Sequence, residues 1–247
     1  MRSFGTTHLG LIRTNNEDAF ILDDKRFYAV ADGVGGHNAG EIASNRAVQS
    51  LKKYFYELLL QGNHSAYALR RALSMVNKDI YLLSHSKPEY KGMSTTLTAV
   101  YFEAPDYAHI LQIGDSRLYH WREGKLKQIT QDQTLVGELL AAGKITQDEV
   151  KSHPKKGWLL QAVGSEKVIQ AEIQRFELLN ADKLLLCTDG LSNMLTEEEI
   201  AMGLSNNTPK ECVENLLALA LERGGSDNIT MIVIDEFGKE DYGGRYN

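Results

Sequence analysis

Residues 27–37 read Phe27-Tyr28-Ala29-Val30-Ala31-Asp32-Gly33-Val34-Gly35-Gly36-His37, an apolar run followed by an aspartate and a glycine-rich loop. The apolar run predicts a buried strand, and together with residues 21–22 and a turn at 23–26 it predicts a β-hairpin. A lone Asp-Gly pair after a strand is usually only a turn, because both residues tolerate turn angles. The additional glycines favour a ligand-binding loop, since glycine allows close backbone approach and its carbonyl can bind a cation.

Three further aspartates stand at comparable places in the sequence. Asp115 and Asp189 follow apolar runs at 109–113 and 183–187, and Asp227 precedes an apolar run at 229–234. Carboxylates at strand ends can converge at one mouth of a sheet although they are far apart in the chain. Such hard oxygen ligands suit Mg²⁺ or Mn²⁺ better than Zn²⁺.

The composition is that of an ordinary globular protein. The chain has 247 residues, of which 43% are hydrophobic and 24% charged, and its formal net charge is −6. This length allows one large domain or two small ones. Because the net charge is negative, we expect no nonspecific binding to nucleic acid or to anionic membranes.

The cysteines and the apolar segments indicate a cellular location. Cys187 lies in an apolar strand and Cys212 in a helical pattern, so the sequence predicts buried free thiols rather than a disulfide framework. The N-terminus lacks an apolar signal core, and no run reaches the roughly 18 apolar residues of a membrane span. We therefore predict a cytoplasmic protein that does not associate with membranes.

The order of predicted elements favours an α+β fold with antiparallel sheets covered by helices. Apolar spacing predicts helices at 39–60, 65–84 and 209–222, with a further helix starting at Thr196, and β-rich runs at 95–102, 108–113, 117–121, 126–129, 168–176, 183–187 and 229–234. Residues 133–163, called the flap segment below, are mixed and helical. The polar, glycine-rich residues 238–247 are expected to form a flexible tail.

An N-terminal charged segment could complete a phosphate site. Arg13 carries a planar guanidinium that matches two phosphoryl oxygens, and Glu17 and Asp18 follow it. Two hard metal ions about 3.5–4 Å apart can share a water, lower its pKa and stabilise the attacking and leaving oxygens. Glu17 and Asp18 could then hold metal-bound waters. For these three charges taken alone, a solvated surface turn is the simpler interpretation.

Other candidate residues have structural alternatives. Asp115 could merely cap a turn before Ser116, and His37 is either a proton donor or a loop residue. Cys187 is interpreted as a small core hydrophobe, because a catalytic thiol needs an exposed and electropositive setting.

Six motifs follow one another along the chain: Arg13 with Asn16-Glu17-Asp18, Ala31-Asp32-Gly33-Val34-Gly35-Gly36-His37, Gly92-Met93-Ser94-Thr95-Thr96, Gly114-Asp115-Ser116-Arg117-Leu118-Tyr119, Cys187-Thr188-Asp189-Gly190-Leu191 and Ser226-Asp227-Asn228-Ile229-Thr230. In this order they resemble the motifs of a known family, the metal-dependent type-2C serine/threonine protein phosphatases in their compact bacterial form. The resemblance extends from about Phe4 to Asp235.

The resemblance implies a four-layer α-β-β-α sandwich, with residues 1–237 as a single catalytic domain. It also implies two core Mn²⁺ or Mg²⁺ ions and a weaker third ion. By this comparison Asp32 bridges the two core ions, the carbonyl of Gly33 binds the second, and Asp189 and Asp227 complete the first. Asp115 and Asp189 would hold the third ion.

The resemblance assigns roles to the remaining candidates as well. Arg13 would grip the substrate phosphate, Glu17 and Asp18 would orient metal-bound water, and Asn228 would support the ligands. The flap segment would be a mobile element beside the active site. The implied partners are phosphorylated proteins, including a bacterial serine/threonine kinase and its substrates, and the implied state is a monomer.

The chain departs from the family pattern at a few positions. Gln133 follows Asp132 where relatives often have histidine, and Gln161 stands where many have arginine. The position of the proposed general acid of animal relatives holds Val34, so the leaving group would take its proton from water or His37. These differences affect substrate choice and proton transfer rather than metal binding.

Three functions are compatible with the motifs. The favoured one is hydrolysis of phosphoserine and phosphothreonine in proteins by a metal-bridged water. The alternatives are a signalling phosphatase specific for one phosphorylated regulator and a catalytically inactive binding module of the same fold. Retention of Asp32, Asp189 and Asp227 argues against the inactive module, and a haloacid-type mechanism is excluded because no Asp-x-Asp pair follows the first strand.

Overall fold

The computed structural model describes residues 1–23, 26–35, 39–205 and 207–237. The tip of the predicted hairpin turn, the candidate His37 and the predicted tail at 238–247 lie outside the described residues. The strands are β1 (Arg2–His8), β2 (Asp18–Asp23), β3 (Phe27–Val34), β4 (Ser94–Thr95), β5 (Leu97–Ala104), β6 (Tyr107–Ile113), β7 (Arg117–Arg122), β8 (Lys125–Gln128), β9 (Ile173–Glu177), β10 (Lys183–Cys187) and β11 (Ile229–Asp235).

The helices frame these strands. They are α1 (Gly40–Leu60), α2 (Ser65–Ser84), α3 (Leu135–Ala141), α4 (Gln147–Ser152), α5 (Asp189–Ser192), α6 (Glu197–Leu204) and α7 (Pro209–Glu222), with a 3₁₀ turn at Pro88–Tyr90. Capping boxes start α4, α6 and α7, where Thr146, Thr196 and Thr208 each accept a hydrogen bond from the glutamate three residues on.

The strands form two antiparallel sheets. The first has the order β1-β11-β10-β7-β8 and the second β2-β3-β5-β6-β9, with β4 paired to β3. Helices α1 and α2 cover the second sheet, whereas α6 and α7 cover the first. The predicted four-layer α-β-β-α sandwich is therefore confirmed.

Alternating side chains build the three interfaces between the layers. In β3, Phe27 and Ala29 pack under α1 and α2, whereas Tyr28 and Val30 face the other sheet. Because successive side chains of a strand point to opposite faces, a strand that is covered on both sides is apolar throughout. β10 and β11 are likewise buried along their whole length, and they are apolar apart from Lys183, Thr230 and Asp235.

The predicted strand at 168–176 is shorter than expected. Only Ile173–Glu177 form β9, which pairs with β6 as far as Leu111. Beyond Leu111, the side chain of Gln112 instead accepts a hydrogen bond from the backbone N–H of Gln131, at 3.1 Å. Gln131 and Gln133 thus contact the end of β6 and the residue that follows it, Gly114.

None of the helices in the described part of the chain combines the length and the apolar character needed to traverse a bilayer.

Candidate active site

Asp32 lies near the end of β3, and threonines fix its backbone on both sides. Its N–H donates to Thr96 Oγ1 at 2.8 Å, and its carbonyl accepts from Thr95 Oγ1 at 2.8 Å. Asp18 is its direct partner across the β2–β3 pair. The sequence motif contained these threonines, but sequence reasoning assigned them no role.

Gly33 has to be glycine because backbone surrounds it. A Cβ there would lie 2.1 Å from the carbonyl oxygen of Gly40 and 2.7 Å from that of Glu17. The Gly33 N–H donates to the same Glu17 carbonyl at 3.0 Å. The close packing brings Glu17 to the start of α1, where burial raises the pKa of its carboxyl.

Thr188 joins the two sheets at Asp18. Its hydroxyl donates to Asp18 Oδ2 at 2.7 Å and accepts from the Thr230 N–H at 3.1 Å. Thr188 is also the residue before α5, so the next residue, Asp189, begins that helix at the end of β10. Asp18 in the second sheet and Asp189 beside the first are thereby held at the same mouth of the sandwich.

Asp115 occupies the turn between β6 and β7, which is held from both sides. Gly114 adopts a φ of +94°, in the region that favours glycine, and a Cβ there would lie 2.7 Å from the Thr96 side chain. The Gly114 N–H donates to Gln133 Oε1 at 2.8 Å, and the Gln133 N–H donates to the Gly114 carbonyl at 3.0 Å. The flap segment thus begins with a two-bond connection to the Asp115 turn.

Asn228 organises the N-terminal charged segment. Its Oδ1 accepts from the Glu17 N–H at 2.8 Å, and its Nδ2 donates to the carbonyls of Leu9 and Asn15 at 2.9 and 3.0 Å. Arg13 reaches Asp227 with a distance of 2.8 Å between Nη2 and Oδ2, and half of the Arg13 side chain stays exposed. The structure therefore brings Arg13 and Glu17 together with Asp227, which is more than two hundred residues away from Arg13 in sequence.

The aspartates perturb one another electrostatically. Burial, and then the charges of the other four aspartates, raise the pKa of Asp32 well above its ordinary value. Burial is also the main cause that raises the pKa of Asp18 and of Asp115 to about 7. We call these five residues the carboxylate cluster: Asp18, Asp32, Asp115, Asp189 and Asp227.

The cluster fits a divalent cation. Asp18 Oδ1 and Asp189 Oδ1 are buried and have no hydrogen-bond donor among the described residues. Unpaired buried carboxylate oxygens are costly unless a cation or a proton neutralises them. Within the described ranges no three acidic, histidine or cysteine side chains are already arranged to enclose one ion, so the carboxylates converge without forming a closed cage.

A partly buried cation, Arg117, borders the cluster. Arg117 holds Asp132 with Nε–Oδ1 and Nη2–Oδ2 distances of 3.0 and 2.6 Å, and its Nη1 donates to the Tyr119 hydroxyl at 2.7 Å. Its charge counteracts the burial that raises the pKa of Asp115. Arg117 lies within the motif at residues 114–119, but the sequence pattern indicated no function for it.

The sequence of the chain is similar to one protein family and to several known proteins. A model of the family described as protein phosphatase 2C matches residues 5–219. The chain is 37% identical over 236 residues to the serine/threonine phosphatase stp of Listeria monocytogenes, with 93% of each chain covered. It is 38% identical over 226 residues to the serine/threonine protein phosphatase PstP of Mycobacterium tuberculosis, and this match covers 92% of the chain and 43% of PstP.

Solved structures are also similar. The crystal structure of the M. tuberculosis phosphatase PstP/Ppp superposes with a TM-score of 0.86 at 35% identity, covering 95% of this chain and 97% of that one. The catalytic domain of PstP in complex with two manganese ions superposes with a TM-score of 0.84 at 34% identity. This match covers 95% of this chain and 97% of that one.

Proposed function

Because this chain belongs to the protein phosphatase 2C family, it is a serine/threonine protein phosphatase, and we propose that its activity requires Mn²⁺ or Mg²⁺ held by the carboxylate cluster. The resemblance that the sequence motifs indicated is confirmed. The observation that carries the metal proposal is a pair of buried oxygens on Asp18 and Asp189 that have no hydrogen-bond partner among the described residues, within an all-oxygen donor set. The similarity to a phosphatase domain crystallised with two manganese ions supports it.

The proposed ligands divide between two core ions and a third. Asp32 would be shared by the core ions, the Gly33 carbonyl would bind one of them, and Asp189 and Asp227 the other. Asp115 with Asp189 would hold the third ion. When bound, such ions lower the pKa of water and neutralise charge on the phosphoryl oxygens.

The protein's own residues position the substrate and the water. Arg13 is half exposed and binds Asp227 through Nη2, which leaves the rest of its planar fork for two phosphoryl oxygens. Glu17 and Asp18 would accept hydrogen bonds from the attacking water. Hydrolysis forms a bond from the water oxygen to phosphorus and breaks the bond to the serine or threonine oxygen, which then takes up a proton.

The serine or threonine oxygen would take this proton either from His37 or from water. His37 lies outside the described residues, so its role stays a prediction from the sequence. The substrates would be phosphorylated proteins of the bacterial cytoplasm, including a serine/threonine kinase and its targets, and the enzyme would act as a monomer. The phosphoprotein substrates, the kinase and the monomeric state are supported by the family resemblance, and the cytoplasmic location by the two cysteines and the apolar segments of the sequence.

A single assay series tests the metal proposal. Hydrolysis of a phosphothreonine peptide is measured with Mn²⁺, with Mg²⁺ and with excess chelator. We expect no activity with chelator and recovery on adding either ion, and near-total loss of turnover in Asp32→Ala with the fold retained. Asp106→Asn, at an exposed turn, is the matched control. Full activity in excess chelator would overturn the proposal.

A further inference from the structure

A cavity of about 680 Å³ opens beside the carboxylate cluster, between the two sheets and the flap segment. Its walls come from β6 and β9, from residues 129–133 after β8, and from residues 138, 160 and 161 of the flap segment. A smaller cavity of about 320 Å³ continues from it and shares Leu160 and Gln161 with it. We call the two cavities together the side groove. Its larger part has the volume of a typical ligand site, about 300–1,000 Å³.

The side groove adjoins the proposed catalytic centre through two of its lining residues, Asp132 and Gln133. Gln133 is hydrogen-bonded through Oε1 to the Gly114 N–H, immediately before Asp115, and the charge of Asp132 contributes to the raised pKa of Asp115. A polypeptide whose phosphorylated residue reaches the carboxylate cluster therefore has the side groove next to its flanking residues.

The groove carries uncompensated negative charge. Asp132 is neutralised by the Arg117 fork, but Glu138 and Glu172 are exposed and form no ion pair within the described ranges. In the part of the chain that the structure describes, no lysine, arginine or histidine lines the larger cavity. A cationic side chain in the groove would therefore meet two glutamates without a competing internal partner.

The groove also offers amides to a peptide backbone. The side chains of Gln161 and Gln174 are exposed, line the larger cavity and make no hydrogen bond to the described residues. Each side-chain amide can both donate and accept, which is what an extended backbone requires. Gln174 lies in β9, at the edge of its sheet, and Glu172 is two residues earlier in the chain.

We propose that the side groove binds an extended segment of the phosphoprotein substrate that flanks the phosphorylated residue, and that Glu138 and Glu172 select lysine or arginine in that segment. This inference rests on the proposed function. It identifies the substrate class as phosphoproteins with a basic segment on one side of the phosphosite. Acidic flanking segments would be disfavoured by repulsion from the same two glutamates.

The experiment compares phosphothreonine peptides that differ only in flanking charge. One series carries lysine, glutamine or glutamate on the N-terminal side of the phosphothreonine, and a second carries them on the C-terminal side. We expect wild-type kcat/KM at low salt to be at least tenfold higher for lysine than for glutamate on one side. The preference should shrink as salt is raised, because the glutamates are exposed.

Variants locate the effect. The double variant Glu138→Gln/Glu172→Gln should reduce the preference to within about twofold, with unchanged kcat/KM on p-nitrophenyl phosphate, which has no flanking residues. The control Glu57→Gln/Glu222→Gln removes the same charge from exposed positions on α1 and α7 and should keep the preference.

The outcomes separate this inference from the proposed function. Hydrolysis of all the peptides without a charge preference would overturn the groove proposal and leave the proposed function intact. A charge preference that persists in Glu138→Gln/Glu172→Gln would also overturn the groove proposal. So would a preference that falls equally in the control Glu57→Gln/Glu222→Gln, because the net charge of the whole protein would then be the cause. Failure of the wild type to hydrolyse any peptide in the presence of metal would instead contradict the proposed function.

Discussion

The guanidinium of Arg13 lies 2.8 Å from the carboxylate of Asp227, between Nη2 and Oδ2, and this contact joins the proposed phosphate clamp to a proposed metal ligand. The pair is partly exposed, with side-chain exposures of 50% for Arg13 and 31% for Asp227. Exposed ion pairs contribute only about 0–1 kcal/mol, because solvent screens them. Arg13 is therefore free to exchange part of this contact for a substrate phosphate.

Replacement of Arg13 should affect substrate binding more than metal binding. We expect Arg13→Ala to raise KM for a phosphopeptide at least tenfold, about 1.4 kcal/mol, while Mn²⁺ affinity changes only severalfold. Arg13→Lys should recover part of the loss, since a point charge cannot reproduce the two-pronged contact. Steady-state kinetics and titration calorimetry measure the two effects. Loss of the metals in Arg13→Ala would show instead that Arg13 is a structural support for Asp227.

Replacement of Asp115 should affect the third ion without affecting the two core ions. Asp115→Ala is expected to keep the core metals and to lower turnover on phosphopeptides by more than tenfold, above roughly 1.4 kcal/mol. Crystallography of the variant with Mn²⁺ checks the metals, and kinetics check the turnover. If Asp115 only caps its turn, Asp115→Asn would keep wild-type turnover, because an amide caps as well as a carboxylate.

The raised pKa values predict how pH affects the chelator-treated protein. Asp18 and Asp115 have pKa values of about 7 in the folded chain and ordinary values, near 3.8, in the unfolded chain. Between these values the folded state binds more protons than the unfolded state, so the free energy of unfolding falls as pH rises from about 4 to about 7. Saturating Mn²⁺ should therefore raise Tm by several degrees more at pH 7.5 than at pH 5.

Asp18→Asn provides the matched variant for this pH effect. The amide oxygen can still accept the Thr188 hydroxyl, so the variant should raise the Tm of the chelated protein at pH 7.5 and weaken its pH dependence. Asp106→Asn, at an exposed turn, should change neither. The raised pKa values of Asp18 and Asp115 would be contradicted if the Tm of the chelated wild type rose steadily from pH 4 to pH 7.5.

Gln133 should couple the flap segment to the Asp115 turn. Gln133→Ala removes the acceptor of the Gly114 N–H, so we expect faster amide exchange at residues 113–115 and a three- to tenfold lower kcat/KM. Gln131→Ala is the control, because only the backbone N–H of exposed Gln131 makes a hydrogen bond there. Unchanged exchange and unchanged kinetics in Gln133→Ala would leave Gln133 without a positioning role.

Residue patterns alone predicted the main helices, most of the strands and the placement of aspartates at strand ends, whereas the four layers were implied by the family resemblance. Apolar spacing at 39–60 and 65–84 matches α1 and α2, and the helix start predicted at Thr196 matches the start of α6. These features depend on side-chain periodicity and on hydrogen bonds within one turn, so short stretches of sequence are sufficient to predict them.

Contacts between distant segments were decided only by the tertiary structure. The sequence did not predict β1, whose pairing with β11 joins residues at opposite ends of the chain, or the early end of β9. The Arg13–Asp227 pair and the Gln133–Gly114 connection depend likewise on how the sheets stack. The pKa of Asp32 also belongs to this level, because it depends on burial and on four carboxylates that come close only when both sheets have formed.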